Sequence, residues 1–154
     1  MDIREARPNE SELIAQLVNA AFAVERKFKN GDRTTSAEIQ SKFSQGRFFI
    51  AEQDGSAVGT VFVSITGNSG YFGLLAVDPT LQRSGVGRSL IEFAEDLCRR
   101  SGCTEMTMCI VSAREDLPAY YSRFGYQVTS TEPVTGDEPF TMPVHFVNMA
   151  KPLA

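Results

Sequence analysis

The residues whose spacing carries the most chemistry are Gln82-Arg83-Ser84-Gly85-Val86-Gly87-Arg88. They follow an apolar run over 71–77 and the pair Asp78-Pro79, and they open a stretch of helical periodicity. The first turn of a helix offers unpaired N–H groups and the positive end of the helix dipole. Glycine at that turn removes the side-chain bulk that would keep an anion away. The physical product is an anion site, most naturally for a pyrophosphate. Arg83 and Arg88 add positive charge beside it. A Walker-type loop would need Gly-Lys-Ser/Thr, and no lysine is present here. A dinucleotide fingerprint would need a third small residue three positions after Gly87, where Leu90 stands. A tight strand-to-helix turn with no ligand is the plain alternative.

A second chemical cluster is Arg114-Glu115-Asp116-Leu117-Pro118-Ala119-Tyr120-Tyr121-Ser122-Arg123-Phe124-Gly125-Tyr126. It reads as a short helix over about 116–124. Pro118 is tolerable in its first turn and Gly125 ends it. Two adjacent phenols on such a helix are, on residue type alone, core aromatics.

These clusters need elements to position them. Residues 2–7 alternate as a strand. Asn9 with Glu12 is a helix-start pattern, and Leu13, Ile14, Leu17, Val18, Ala21 and Phe22 line one helical face. Residues 27–34 are polar and read as a loop. Thr35 with Glu38 is a capping box for a helix to about Phe43. Two apolar runs, 47–53 and 57–66, flank Asp54-Gly55, a hairpin signal. Residues 67–70 are a turn. The run 71–77 is apolar enough for a strand buried on both faces. Val86, Leu90, Phe93, Ala94 and Leu97 keep helical spacing up to Arg99-Arg100, and Gly102 follows. Strands are expected over 104–111, 126–131 and 141–151, with an acidic, turn-rich stretch at 132–139. The order predicts an α/β (α+β) chain: a mixed sheet of about seven strands flanked by about four helices. The unit 71–111 should form a parallel crossover.

Length and composition bound the rest. The chain has 154 residues, 42% of them hydrophobic and 22% charged. It can bury roughly two-thirds of its unfolded surface, enough for one domain spanning 1–154. The net charge of −4 argues against a general nucleic-acid binder. It fits a cationic partner, as it fits many neutral enzymes. The charged opening Met1-Asp2-Ile3-Arg4-Glu5 has no apolar signal core. No run reaches membrane-spanning length. The cysteines Cys98, Cys103 and Cys109 are odd in number and form no Cys-x-x-Cys pair. That argues against a disulfide framework or a zinc site and for a reducing, cytoplasmic compartment. Cys109, between Met108 and Ile110, reads as core packing.

The glycine turn resembles the Gln/Arg-x-x-Gly-x-Gly/Ala signature of the GNAT N-acetyltransferase superfamily, and the stretch from the apolar strand through Val77-Asp78-Pro79 to the helix is similar as well. The 114–126 cluster resembles that family's later motif, Tyr-x-x-x-Gly-Phe/Tyr on a short helix. The two resemblances cover roughly 71–126, and the order of elements on either side is similar too. The resemblance implies a mostly antiparallel sheet whose fourth and fifth strands splay into a V. It implies acetyl-CoA as cosubstrate, without a metal. Gln82, Arg83, Ser84, Gly85, Val86, Gly87 and Arg88 would then hold its pyrophosphate. The backbone of Leu75, Ala76 and Val77 would pair with its pantetheine amides as an added strand does. Tyr121, four before Gly125, would protonate the departing thiolate. Many members carry Asn at the position of Arg114, so Arg114 is either a phosphate ligand or a solvated charge.

The reaction so implied is direct attack of a primary amine, from a small molecule or a peptide, on the thioester. Backbone N–H groups would polarise the carbonyl. No acid lies in Tyr71-Phe72-Gly73-Leu74-Leu75, where many relatives keep a general base. Glu25, Asp32, Glu52, His145 and water are the candidates. The loop 30–34 either lines the acceptor site or simply leads into the next helix. A non-catalytic acyl-CoA-binding or sensing domain of the same fold is the alternative, and a nucleotide-phosphate enzyme a third reading. A homodimer through sheet edges or helices is compatible with such folds.

Overall fold

A computed structural model of the chain describes residues 1–134 and 140–153. Seven strands form one sheet in the order β1-β2-β3-β4-β5-β7-β6. They are β1 (Asp2–Glu5), β2 (Arg47–Gln53), β3 (Ser56–Thr66), β4 (Ser69–Val77), β5 (Glu105–Val111), β6 (Gln127–Pro133) and β7 (His145–Pro152). The α-helices among the described residues are α1 (Ser11–Ala21), α2 (Ser36–Lys42), α3 (Val86–Arg100) and α4 (Leu117–Ser122). The expected order and the mostly antiparallel sheet are both present. Only β4 and β5 run parallel.

Local sequence explains most boundaries. The β2–β3 hairpin turns on Asp54 (φ 53°) and Gly55 (φ 80°), the paired left-handed geometry that a two-residue turn demands. Thr35 caps α2 by accepting from the Glu38 N–H at 3.2 Å. The Glu38 carboxylate does not close the box. It accepts from the Thr34 hydroxyl instead, at 3.3 Å. The helix start expected at Asn9 is not a side-chain cap. Pro8 opens a 3₁₀ turn, Pro8–Glu10, because its fixed φ suits a first turn. There the Glu10 carboxylate accepts from the Arg7 N–H at 3.0 Å. The last strand begins at His145 rather than 141, since Pro143 has no N–H to give a ladder. Phe140 bridges back to Lys29 instead. Of the acidic stretch 132–139, residues 135–139 lie outside the described ones.

The sheet divides two cores. Phe48 and Ile50 face one side, with Ile14, Ala15 and Val18 of α1 and Ile39 of α2. Phe49 and Ala51 face the other, with Val86, Leu90, Ile91, Ala94 and Cys98 of α3. Fully buried side chains such as Leu90 and Ile91 each contribute about 1.5–3 kcal/mol. Alternation along β2 thus matches α1 on one face of the sheet and α3 on the other, and both also pack against β4. β4 itself alternates buried and half-buried residues, so it is not buried on both faces as its composition suggests.

One polar group ties α3 to the far end of the sheet. The buried Glu95 carboxylate accepts from the Tyr126 hydroxyl at 2.7 Å and from the Lys151 ammonium at 3.0 Å. Replacing Glu95 with alanine leaves that phenol buried without its acceptor. We expect a loss of about 3 kcal/mol, read from the urea midpoint. A cost below about 0.5 kcal/mol would show that the network only decorates the packing.

Candidate active site

β4 hands the chain to α3 through a short, strained connection. Asp78 accepts from the Thr80 N–H at 2.9 Å, and Pro79–Leu81 make a 3₁₀ turn. Arg83 (φ 72°) and Gly85 (φ 93°) are both left-handed. The first helical bond of α3 runs from the Ser89 N–H to the Gly85 carbonyl, at 3.0 Å. The N–H groups of Val86, Gly87 and Arg88 are therefore left without a helical acceptor. A Cβ at Gly87 would stand 2.9 Å from the Tyr120 hydroxyl, so only glycine leaves both in place.

This turn opens on a cavity of about 820 Å³. Arg83, Arg88, Arg114 and Arg123 line it, with Asp116 the carboxylate among them. Left-handed turn, free N–H groups and a surplus of arginine all favour a large polyanion. The residues therefore fit the diphosphate of a coenzyme A thioester. Of the residues singled out from the sequence, Leu75, Val77, Gln82, Arg83, Gly85, Gly87, Arg88 and Arg114 line the cavity. Ala76 and Val86 do not, being 1% and 3% exposed within the two cores. Ser84 donates its hydroxyl to the Leu81 carbonyl. For these three only the backbone is left to face a ligand.

The cavity exists because two strands part. β4 and β5 pair through Ser69, Gly70 and Tyr71 alone. Beyond Tyr71 the β5-facing edge of β4 has no ladder partner. Along the same stretch of β4, on its β3-facing edge, lies a bulge. Thr60 pairs with Ala76 and Phe62 with Gly73, so Val61 stands opposite both Leu74 and Leu75. Leu74 takes φ 49°, a conformation costing roughly 1–2 kcal/mol for a residue with a Cβ. Strain of this kind concentrates at working sites. Nothing in the local sequence announces it.

A second cavity, about 270 Å³, lies on the other side of the parting. Phe22, Leu75, Leu117 and Tyr121 line both cavities, so the two meet there. The half-buried row of β4, with Tyr71 and Gly73, faces this open space. Tyr121 is 7% exposed and packs on Phe72, ring centroids 6.0 Å apart. Burial, first of all, pushes its pKa upward, which keeps the phenol protonated and able to donate. Tyr120 lines only the larger cavity, its hydroxyl over Gly87.

The candidate bases separate clearly. Glu25 sits on a 3₁₀ turn, Ala23–Lys27, is buried, and lines the smaller cavity. Its carboxylate accepts from Arg114 at 3.0 Å, and Arg114 also pairs with Asp116 at 3.2 Å. Arg114 is thus charge-balanced by two carboxylates at the cavity wall. Asp32 is exposed and pairs with Arg26. Glu52 pairs with Arg4 at 2.9 Å, beside β1. His145 is exposed at the head of β7, and neither cavity includes these three. Of the loop 30–34, Arg33 lines the smaller cavity.

Cys109 is not core packing. It is exposed and lines the smaller cavity, while Met108 and Ile110, which border the same cavity, are buried. Cys98 and Cys103 are buried, and burial pushes the Cys98 thiol up to about 12. Burial raises the Cys109 thiol too. Iodoacetamide should therefore add once to the native protein, faster as pH rises, and three times in urea. Mass spectrometry counts the additions, and two in the native state would contradict this placement. Among the described residues no group of three or more metal-ligating side chains converges, and no helix is long and apolar enough to cross a membrane.

Comparison with known proteins agrees with this geometry. The model of the acetyltransferase (GNAT) family matches residues 12–126. No curated protein matches the chain. The structure of smu.2055 from Streptococcus mutans UA159 superposes with a TM-score of 0.81 at 18% identity, covering 100% of both chains. The ribosomal-protein-S18-alanine N-acetyltransferase of Escherichia coli gives 0.69 at 18% identity, over 99% of this chain and 94% of that one. The yncA protein of Salmonella typhimurium, solved with its cofactor acetyl-CoA, gives 0.75 at 20% identity, over 99% and 94%. At these identities the likeness is one of fold.

Proposed function

This chain belongs to the GNAT acetyltransferase family, and from that premise we propose that residues 1–154 act as one domain transferring the acetyl group of acetyl-CoA to a primary amine by direct attack. One observation carries the reading: the arginine-lined cavity at the α3 turn and the smaller cavity meet at Tyr121, between two parted strands. Acetyl-CoA, when bound, supplies the acyl group in activated form, as a thioester. The N–H groups of Val86, Gly87 and Arg88, with Arg83 and Arg88 side chains, hold its diphosphate, flanked by Gln82, Ser84 and Gly85. The unpaired edge over Leu75, Ala76 and Val77 takes its amide-bearing arm as an extra strand would. Tyr121 donates its proton to the departing sulfur. Glu25, the buried carboxylate of the acceptor side, takes the proton of the incoming amine directly or through water. Arg114 holds Glu25 in place.

The test separates cofactor from chemistry. Acetyl-CoA at a hundredfold over its dissociation constant should stabilise the protein by about 2.7 kcal/mol. ATP and NAD should do so less. Amines in a broad panel should then release free thiol. Stabilisation without thiol release would make the chain an acyl-CoA-binding domain of the same fold. Tighter binding of ATP or NAD than of acetyl-CoA would overturn both readings.

A further inference from the structure

The charge of the smaller cavity runs against the charge of the chain. The protein carries −4, yet the charged side chains lining this cavity among the described residues are Glu25, Lys29, Arg33 and Lys42. Glu25 pairs with Arg114, which it shares with Asp116. Arg33 and Lys42 form its cationic side, and both are held in place. The Arg33 guanidinium lies over the Phe22 ring, 5.5 Å from its centroid, and the Lys42 ammonium over the Phe62 ring at 5.3 Å. Both rings line the cavity. The backbone following Arg33 is pinned to α1. The Thr34 N–H donates to Asn19 at 2.9 Å, and the Asn19 amide returns a bond to the Thr34 carbonyl at 3.0 Å.

Neither Arg33 nor Lys42 has a carboxylate partner among the described residues. Two half-buried cations stacked on aromatic walls, unpaired with any carboxylate of the described residues, make an anion receptor. A guanidinium fork adds geometric choice, since it suits carboxylate and phosphate oxygens alike. The Arg33 charge also reaches the interior, where it offsets part of the burial effect on Tyr71 and Cys109. The opposite pole is Glu25, which suits an ammonium. Resting on the acetyl-transfer reading above, we infer that the acceptor is a small amine bearing an anionic group, carboxylate or phosphate, which Arg33 and Lys42 bind while the amine points to the junction at Tyr121 and Leu75. A volume near 270 Å³ suits a molecule of amino-acid size.

The experiment compares matched acceptors under saturating acetyl-CoA. Glutamate and glycine are set against their amides, phosphoethanolamine against ethanolamine, and a diamine completes the panel. We expect kcat/KM to favour the anionic member of a pair by about tenfold or more, the scale of one charge-assisted contact. Arg33→Gln with Lys42→Gln should collapse that preference through KM, with kcat nearly kept. Whether carboxylate or phosphate gives the larger ratio names the source of the anion. A binding readout stands apart from turnover: the same anionic amines should slow alkylation of Cys109 in the parent protein and not in the double variant. Equal or better use of uncharged or cationic amines overturns the anionic acceptor and leaves acetyl transfer standing. Protection of Cys109 without thiol release supports the anion site while removing acetyl transfer. Neither preference nor protection ends the inference.

Discussion

Tyr121→Phe should lower turnover by about 10²–10⁴-fold, the range for one positioned general acid, with acetyl-CoA affinity nearly unchanged. The substitution removes one oxygen. The ring keeps its contacts with Phe72 and Tyr126, so the protein should fold. The magnitude rests on where that oxygen lies. Tyr121 is the one phenol lining both cavities, and burial raises its pKa. The parent enzyme should therefore keep its rate as pH rises toward about 10, the ordinary tyrosine value, falling only on the acid side as the acceptor amine protonates. The same shift has a stability counterpart. A folded-state pKa above the unfolded one contributes stability that is complete below about pH 10 and is lost as pH rises beyond it. Thermal unfolding followed from pH 8 to 11 should thus decline less in Tyr121→Phe than in the parent. Full turnover in the variant across this range would remove Tyr121 from the reaction and leave a water or backbone donor in its place.

The second large effect should come from Gly85→Glu. Nothing stands within 4 Å of a Cβ built at Gly85, so the new side chain meets open space. Two penalties remain. The φ of 93° is one that L side chains rarely adopt, costing about 1–2 kcal/mol. The new carboxylate would also sit at the helix N-terminus and satisfy Arg83 and Arg88 internally, where the diphosphate belongs. We expect acetyl-CoA affinity to fall about 10²-fold or more by calorimetry. Gly85→Ala carries the strain without the charge, so it should lose about tenfold or less. Equal losses in the two variants would mean that backbone shape, and not anion competition, governs the turn. Unchanged affinity in both would place the diphosphate elsewhere.

Features set by near neighbours in the chain were legible in the sequence. The hairpin at Asp54-Gly55, the cap at Thr35 and the glycine turn before Val86 each need only a few adjacent residues, and each stands where expected. The family resemblance singled out Tyr121 by its spacing to Gly125, and the structure puts it where the two cavities meet. The rest depends on residues far apart. Arg114 meets Glu25 across 89 positions, a pairing that no local spacing reveals and that leaves it too buried for a solvated charge. The bulge at Leu74 arises from a register mismatch with β3, invisible in a run of apolar residues. Cys109 and the open row of β4 read as core because apolar and thiol side chains line a cavity as readily as they fill one. Net charge says little about the smaller cavity. It sums the whole surface, whereas Arg33 and Lys42 act within one recess.

The position of β7 has a consequence for synthesis. It lies between β5 and β6, although it follows both in the chain. Until residues 145–152 leave the ribosome, two strands wait with bare ladders, β5 on one side and β6 on the other. β5 is also one wall of the parting between β4 and β5. A nascent chain paused before His145 therefore exposes two unpaired edges, open to pairing with another chain until β7 closes the sheet.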